Sequence, residues 1–168
     1  MPDLIIIAGP NGAGKTTFAR EYLSNEFAGI AFVNADEIER YLGADASDIA
    51  AGRAMLAEID KLVSAQQSFA IETTLASLTY ARKITEWRAA GYVMRLIYLR
   101  LPNVEASLKR VRRRVEAGGH NIPEAAIRRR FARSLEYLES KYKLLADQWR
   151  VYDSLEGEVR LAETWDSP

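Results

Sequence analysis

Two hydropathy rhythms take turns along this chain: short unbroken apolar runs, and longer stretches in which apolar residues recur at helical spacing. Leu4 to Ala8 is a continuous apolar run ended by Gly9 and Pro10, which predicts a strand covered on both faces. From Lys15 to about residue 25 the spacing turns helical. Ile30 to Val33 is a second run, and it leads into NADEIERYLG, again strand, turn and helix. Ser47 is placed to cap a helix reaching about Gln66, because Ile49, Leu56, Ile59 and Leu62 recur near helical spacing. A third strand runs from Phe69 to Ile71 and ends in Glu72. Residues 77 to 90 read as a helix with Gly91 as its C-terminal cap. Residues 92 to 101 form the strongest strand pattern, stopped by Pro102. Two arginine-rich helices flank AGGHNIP, and a last strand, Trp149 to Tyr152, leads to a short apolar end at Val159 to Leu161.

Strands separated by helices predict an α/β fold, a mainly parallel sheet flanked by helices, with its binding crevice at the carboxyl ends of the strands. Gly9, Asp36 and Glu72 all stand just past a predicted strand. A length of 168 residues suits one domain, residues 1–168, with no linker or repeat inside it. With 48% apolar and 27% charged residues the chain can bury a core, which argues against disorder. Lys plus Arg and Asp plus Glu number 23 each, a balance that disfavours nucleic acid or a membrane surface as partner. No cysteine is present, so disulfides, thiolate metal sites and thiol nucleophiles are excluded and a cytoplasmic location is expected. The first apolar run is too short for a signal peptide, and Met1 reads as the mature start.

Residues 9–16, GPNGAGKT, match GxxxxGK[ST] between a strand and a helix. In such a loop the glycines let successive backbone amides face phosphate oxygens, and the following helix adds its positive end. Gly9, Pro10, Asn11, Gly12, Ala13, Gly14, Lys15, Thr16 and Thr17 are therefore assigned to ATP, Lys15 to the β and γ phosphates, and the Thr16 hydroxyl to Mg²⁺.

Three uses of the loop compete: a kinase, a mechanical or transport ATPase, and a nucleotide switch. Asp36 follows Lys15 by only 21 residues and no LSGGQ-like signature is present, which disfavours the transport reading. A missing NKxD disfavours a guanine switch. A small kinase needs a carboxylate at the end of its second strand to accept the proton of an acceptor hydroxyl. Asp36 has that position, and it can also N-cap residues 37–43. Glu72, in AIETT, can orient an acceptor or hold a metal-bound water; its bland alternative is a solvated acid at a strand end.

Between residues 103 and 133 nine Lys or Arg stand against three Glu. On a helix Val104, Leu108, Val111 and Val115 share one buried stripe, with Arg113 almost opposite and Arg112 and Arg114 near the stripe's edges. Arg110 lies one turn before Arg114 on the same side. The next stripe is Ile127, Phe131, Leu135 and Leu138, flanked by Arg128 and Arg130. Gly118 and Gly119 give hinge freedom. The segment at about 109–133 reads as a lid whose arginines, Arg114 first, stabilise charge in phosphoryl transfer; a solvated charged face is the alternative. His120 either touches a phosphate or caps the following helix.

GPNGAGKTT, NADEIER, FAIETTL, GYVMRLIYLRLP and RVRRRVEAGGHNIPEAAIRRRFARS together resemble the zeta-toxin family of bacterial P-loop kinases, in particular its short members. The resemblance implies a three-layer fold with a five-stranded sheet of order 2-3-1-4-5. It implies transfer of the ATP γ-phosphoryl group to a sugar hydroxyl of a UDP-N-acetylhexosamine, usually UDP-N-acetylglucosamine, with Mg²⁺, and an antitoxin protein as a possible partner. By position, Lys15, Asp36, Arg114 and Arg130 would be catalytic, and Asn34, Glu72, Thr73 and His120 would face the acceptor. Longer members carry an arginine where this chain has His120, and alignment also permits Arg113 in place of Arg114. The alternatives are a small-metabolite kinase of gluconate or nucleoside type and a non-catalytic ATP-binding interaction module.

Overall fold

The structure is a computed structural model, and it describes residues 1–35 and 48–168. Strand β1, Asp3–Ala8, lies at the centre of the sheet because every side chain from Leu4 to Ala8 is excluded from solvent. Its alternate residues feed two separate cores. Leu4, Ile6 and Ala8 join one cluster and Ile5 and Ile7 the other, so the unbroken apolar run reflects burial on both faces. Each fully buried Leu or Ile contributes on the order of 1.5–3 kcal/mol.

Helix α1, Lys15–Glu26, covers the Ile5/Ile7 face through Ala19 and Leu23. Strands β2 (Ala31–Val33), β3 (Phe69–Thr73) and β4 (Val93–Arg100) run parallel to β1, with β3 and β4 its direct neighbours. Helices α2 (Asp48–Ser64) and α3 (Thr79–Ala89) supply Met55, Ile59, Leu62, Ile84 and Trp87 to the opposite core. Gly91 turns the chain out of α3 at φ +93°.

Beyond β4 come α4 (Val104–Glu116) and α5 (Glu124–Tyr137), the latter continuing through a π-helical turn, Leu138–Tyr142, to Leu145. Asn103 caps α4 by accepting a hydrogen bond from Ala106 N. Leu108, Val111 and Ile127, with Val115 and Ile122, form a small core that joins α4 to α5, as the two stripes predict. The segment 117–123 between them, including His120, is almost wholly exposed.

The predicted sheet needs one correction. The last parallel strand, β5, extends over Gln148–Leu155, and the apolar end at Val159 to Leu161 lies within a further strand, β6, Glu158–Asp166. The sheet has six strands, not five, in the order β2-β3-β1-β4-β5-β6. β6 returns antiparallel to β5 after the Glu156-Gly157 turn, with Gly157 at φ +74°. Its near-complete exposure explains why no buried run announced it. No described helix is long and apolar enough to cross a membrane.

Candidate active site

The parallel strands end along one edge of the sheet, and the chemistry-bearing residues collect there. β1 ends at Ala8, opposite Thr73 of β3 and Tyr98 of β4, and residues 9–14 form the loop into α1. Gly9 admits no side chain, since a Cβ would lie 2.5 Å from the Leu99 carbonyl oxygen of β4. Ala13 N donates to Pro10 O at 3.1 Å, closing a turn, and Phe18 N donates to Gly14 O at 3.0 Å as helical bonding begins. Among the described residues no side chain caps the start of α1, and its first turn holds no acid. The positive end of the helix is therefore not offset by an acid of its own first turn, which favours an anion there.

Lys15 is buried, and its Nζ donates to Pro10 O at 3.1 Å, so the ammonium folds back over the loop it follows. The Thr16 hydroxyl donates to the carboxylate of Glu72, at 2.8 Å from Oε2 and 3.1 Å from Oε1. Asn34, buried at the end of β2, donates through Nδ2 to the same Oε2 at 2.8 Å. The start of α1 and the end of β2 thus converge on one carboxylate at the end of β3. Thr73 uses its Oγ1 locally, accepting from Leu75 N at 3.1 Å.

Asp36 stands two residues after Asn34 and lies outside the described residues, as do Ser47 and the helix expected over 37–43.

The lid arginines divide by partner. Arg112 and Arg128 reach Glu124, and Arg128 also reaches Glu105. Arg113 and Lys109 hold Glu156 at the β5–β6 turn. Hydrogen bonds from Arg128 and from Arg113 lower the carboxyl pKa of Glu124 and Glu156 respectively. Among the described residues Arg114 and Arg130 take no carboxylate partner. Arg114 is exposed near the C-terminal end of α4, and Arg130 is half-buried on α5.

Arg110 behaves differently from its neighbours. Its guanidinium turns onto the phosphate loop and the end of β5, donating to Gly12 O at 3.3 Å, Ser154 Oγ at 2.9 Å and Ser154 O at 2.9 Å. Ser154 in turn donates to Ala13 O at 2.9 Å, and Ser107 donates to Asn11 O. Helical spacing had placed Arg110 only on the Arg114 side of α4. Ser107 falls three residues after Val104, at the edge of the apolar stripe beside Val111, where a buried hydroxyl needs a partner.

A Haemophilus influenzae protein is 28% identical over 130 residues, covering 76% of this chain and 91% of that one. The structure resembles a chain from the PezAT chromosomal toxin–antitoxin system of Streptococcus pneumoniae, with TM-score 0.70 and 19% identity over 98% of this chain and 72% of that chain. An AvrRxo1 complex solved with ATP aligns with TM-score 0.68 and 18% identity over 99% of this chain, which spans 59% of that one. Shikimate kinase from Acinetobacter baumannii, solved with shikimate, shares the fold at TM-score 0.53 and 23% identity, over 89% of this chain and 82% of that one. The zeta toxin profile matches residues 1–163, so the phosphate loop, the carboxylate gathered beside it and the arginine-bearing helices lie within one family pattern, and the chain belongs to the zeta toxin family, with the fold of a P-loop kinase.

Proposed function

We propose that this chain transfers the γ-phosphoryl group of ATP to a sugar hydroxyl of a UDP-N-acetylhexosamine. The observation that carries the reading is the convergence of Thr16, Asn34 and Glu72 at the mouth of the phosphate loop. A carboxylate and an amide beside the phosphate loop support an acceptor site facing the terminal phosphate. Family membership supports the same chemistry.

In this account the loop amides and the start of α1 hold the triphosphate, and Lys15 leaves Pro10 O to follow the β and γ phosphates. The Thr16 hydroxyl and the Glu72 carboxylate are hard oxygen donors 2.8 Å apart, a set that suits Mg²⁺. Thr16 would hold the ion directly, with Glu72 beside it. Bound there, Mg²⁺ supplies charge that offsets the phosphate oxygens. Glu72 and Asn34, with Thr73 and His120, orient the acceptor, and Asp36 takes the proton of its hydroxyl. Arg114 and Arg130 close over the γ-phosphate and stabilise the charge that develops as the bond to the leaving oxygen lengthens. A cytoplasmic site of action and an antitoxin partner belong to the same reading, the latter supported by the toxin–antitoxin origin of the PezAT neighbour.

The test is to incubate the protein with Mg-ATP and a panel of UDP-sugars, nucleosides and sugar acids, and to identify by mass spectrometry which gains a phosphate. Phosphorylation of a UDP-N-acetylhexosamine supports the reading. Phosphorylation of a small metabolite alone replaces the acceptor, and ATP binding with no product replaces the enzyme by an interaction module.

A further inference from the structure

Three consecutive carbonyls of the phosphate loop are each held by a side chain from elsewhere in the fold. Asn11 O accepts from Ser107 Oγ, Gly12 O from Arg110 Nη1 at 3.3 Å, and Ala13 O from Ser154 Oγ at 2.9 Å. Ser107 and Ser154 are both buried, and Arg110 joins them by donating to Ser154 Oγ and Ser154 O at 2.9 Å each. In a trans peptide the carbonyl and the next residue's N–H point in opposite directions. Fixing these three carbonyls therefore fixes the amides of Gly12, Ala13 and Gly14 the other way. The Ala13 amide closes on Pro10 O, leaving those of Gly12 and Gly14 oriented for a ligand.

The packing agrees with this arrangement. A Cβ at Gly12 would lie 2.9 Å from the Arg110 Cβ and 3.2 Å from the Ser107 carbonyl oxygen, so α4 rests directly on the loop. The contacts span 44 to 141 residues of sequence, joining the loop to α4 and β5.

We propose that Arg110, Ser154 and Ser107 are positioning residues that preset the phosphate loop for a polyphosphate, and that Arg110 does not act on the transferred phosphoryl group. The proposal rests on the nucleotide-binding reading above. Its physical content is pre-organisation: a loop already held in its binding shape spends less free energy on ordering when the ligand arrives.

The test measures binding of Mg-ATP and of inorganic tripolyphosphate by calorimetry, together with kcat and KM for ATP, in the full chain and in Arg110→Ala, Arg110→Lys, Ser107→Ala, Ser154→Ala and Arg110→Ala/Ser154→Ala. Ser154→Ala and Arg110→Ala should each weaken both ligands about tenfold, the scale of one or two hydrogen bonds, with kcat at saturating ATP unchanged. The double variant should lose less than the sum of the two, because the residues act through one network. Lysine should not restore binding, since one ammonium cannot match a planar fork that reaches three acceptors. Should Arg110→Ala fail to fold, the two serine variants decide the matter by the same affinity and kcat readings. Parental affinity in the variants, additive losses, or a fall in kcat with affinity intact would each overturn the proposal. Tripolyphosphate needs no acceptor, so parental binding that persists in the variants sinks the clamp alone. A parent that binds neither ligand sinks the nucleotide reading as well.

Discussion

The Thr16 hydroxyl and the Glu72 carboxylate meet at 2.8 Å although 56 residues separate them, and this pair joins the start of α1 to the end of β3. Glu72→Gln keeps the shape but removes the charge. Hydrogen bonds to charged groups contribute about 1.5–3 kcal/mol, so kcat/KM should fall roughly 10- to 100-fold, with half-saturation shifted to higher Mg²⁺. Steady-state kinetics across a Mg²⁺ titration check this, and an unaltered profile would reduce the pair to a structural contact.

Arg113 and Arg114 are adjacent but differently placed, since Arg113 holds Glu156 at 3.0 Å on the surface while Arg114 has no such partner among the described residues. Exposed pairs of the first kind contribute roughly 0–1 kcal/mol. Arg113→Ala should therefore leave turnover near the parent value. Arg114→Ala should lower kcat about 10²- to 10³-fold, the range seen when a preorganised charge-stabilising donor is lost. Reversal of that order in kcat would exchange the two roles.

Gly12 and Gly29 share a φ of +82°, but Gly12 has atoms where a side chain would go, Arg110 Cβ among them, whereas at Gly29 nothing among the described residues lies within 4 Å. Alanine at either position incurs the left-handed penalty, about 1–2 kcal/mol. Gly12→Ala should lose clearly more stability, because α4 must also shift. Thermal melting without nucleotide compares the two, and equal losses would mean that α4 yields freely.

Tyr98 and Tyr142 are fully buried and Tyr80 partly so. Burial pushes all three phenols up to about 12 from the usual 10. Between those values the folded form keeps protons that the unfolded chain has released, so stability is intact below pH 10 and falls as pH rises toward 12. Denaturation midpoints over that window should drop as tyrosinate absorbance appears. Tyr98→Phe, which removes a 2.7 Å bond with the buried Ser134 hydroxyl, should lower stability at neutral pH by about 1–3 kcal/mol and flatten the alkaline fall. A midpoint that stays level from pH 10 to 12 would contradict the burial argument.

What the chain spells out locally is what its pattern reveals. The Leu4 to Ala8 run, the loop after it and the stripes through Leu108 and Ile127 each follow from neighbours a few residues away, and the fold keeps them. β6 escaped because EVRLAETWD alternates on an exposed edge and draws its order from pairing with β5. The roles of Arg110 and Ser154 escaped for a related reason: an arginine among nine basic residues looks like its neighbours until a partner 44 residues away singles it out. Glu72 was legible as a strand-end acid, whereas its bonds to Thr16 and Asn34 depend on the parallel order of β1, β2 and β3.

Phosphoryl transfer to an alcohol needs a group to accept the hydroxyl proton, and Asp36 is the residue proposed for that task. The most direct measurement compares Mg-ATP affinity by calorimetry with turnover on the acceptor found by mass spectrometry, in the parent and in Asp36→Asn. ATP affinity should hold while turnover falls by roughly 10²–10⁴. A variant that phosphorylates its acceptor at the parent rate would contradict the account.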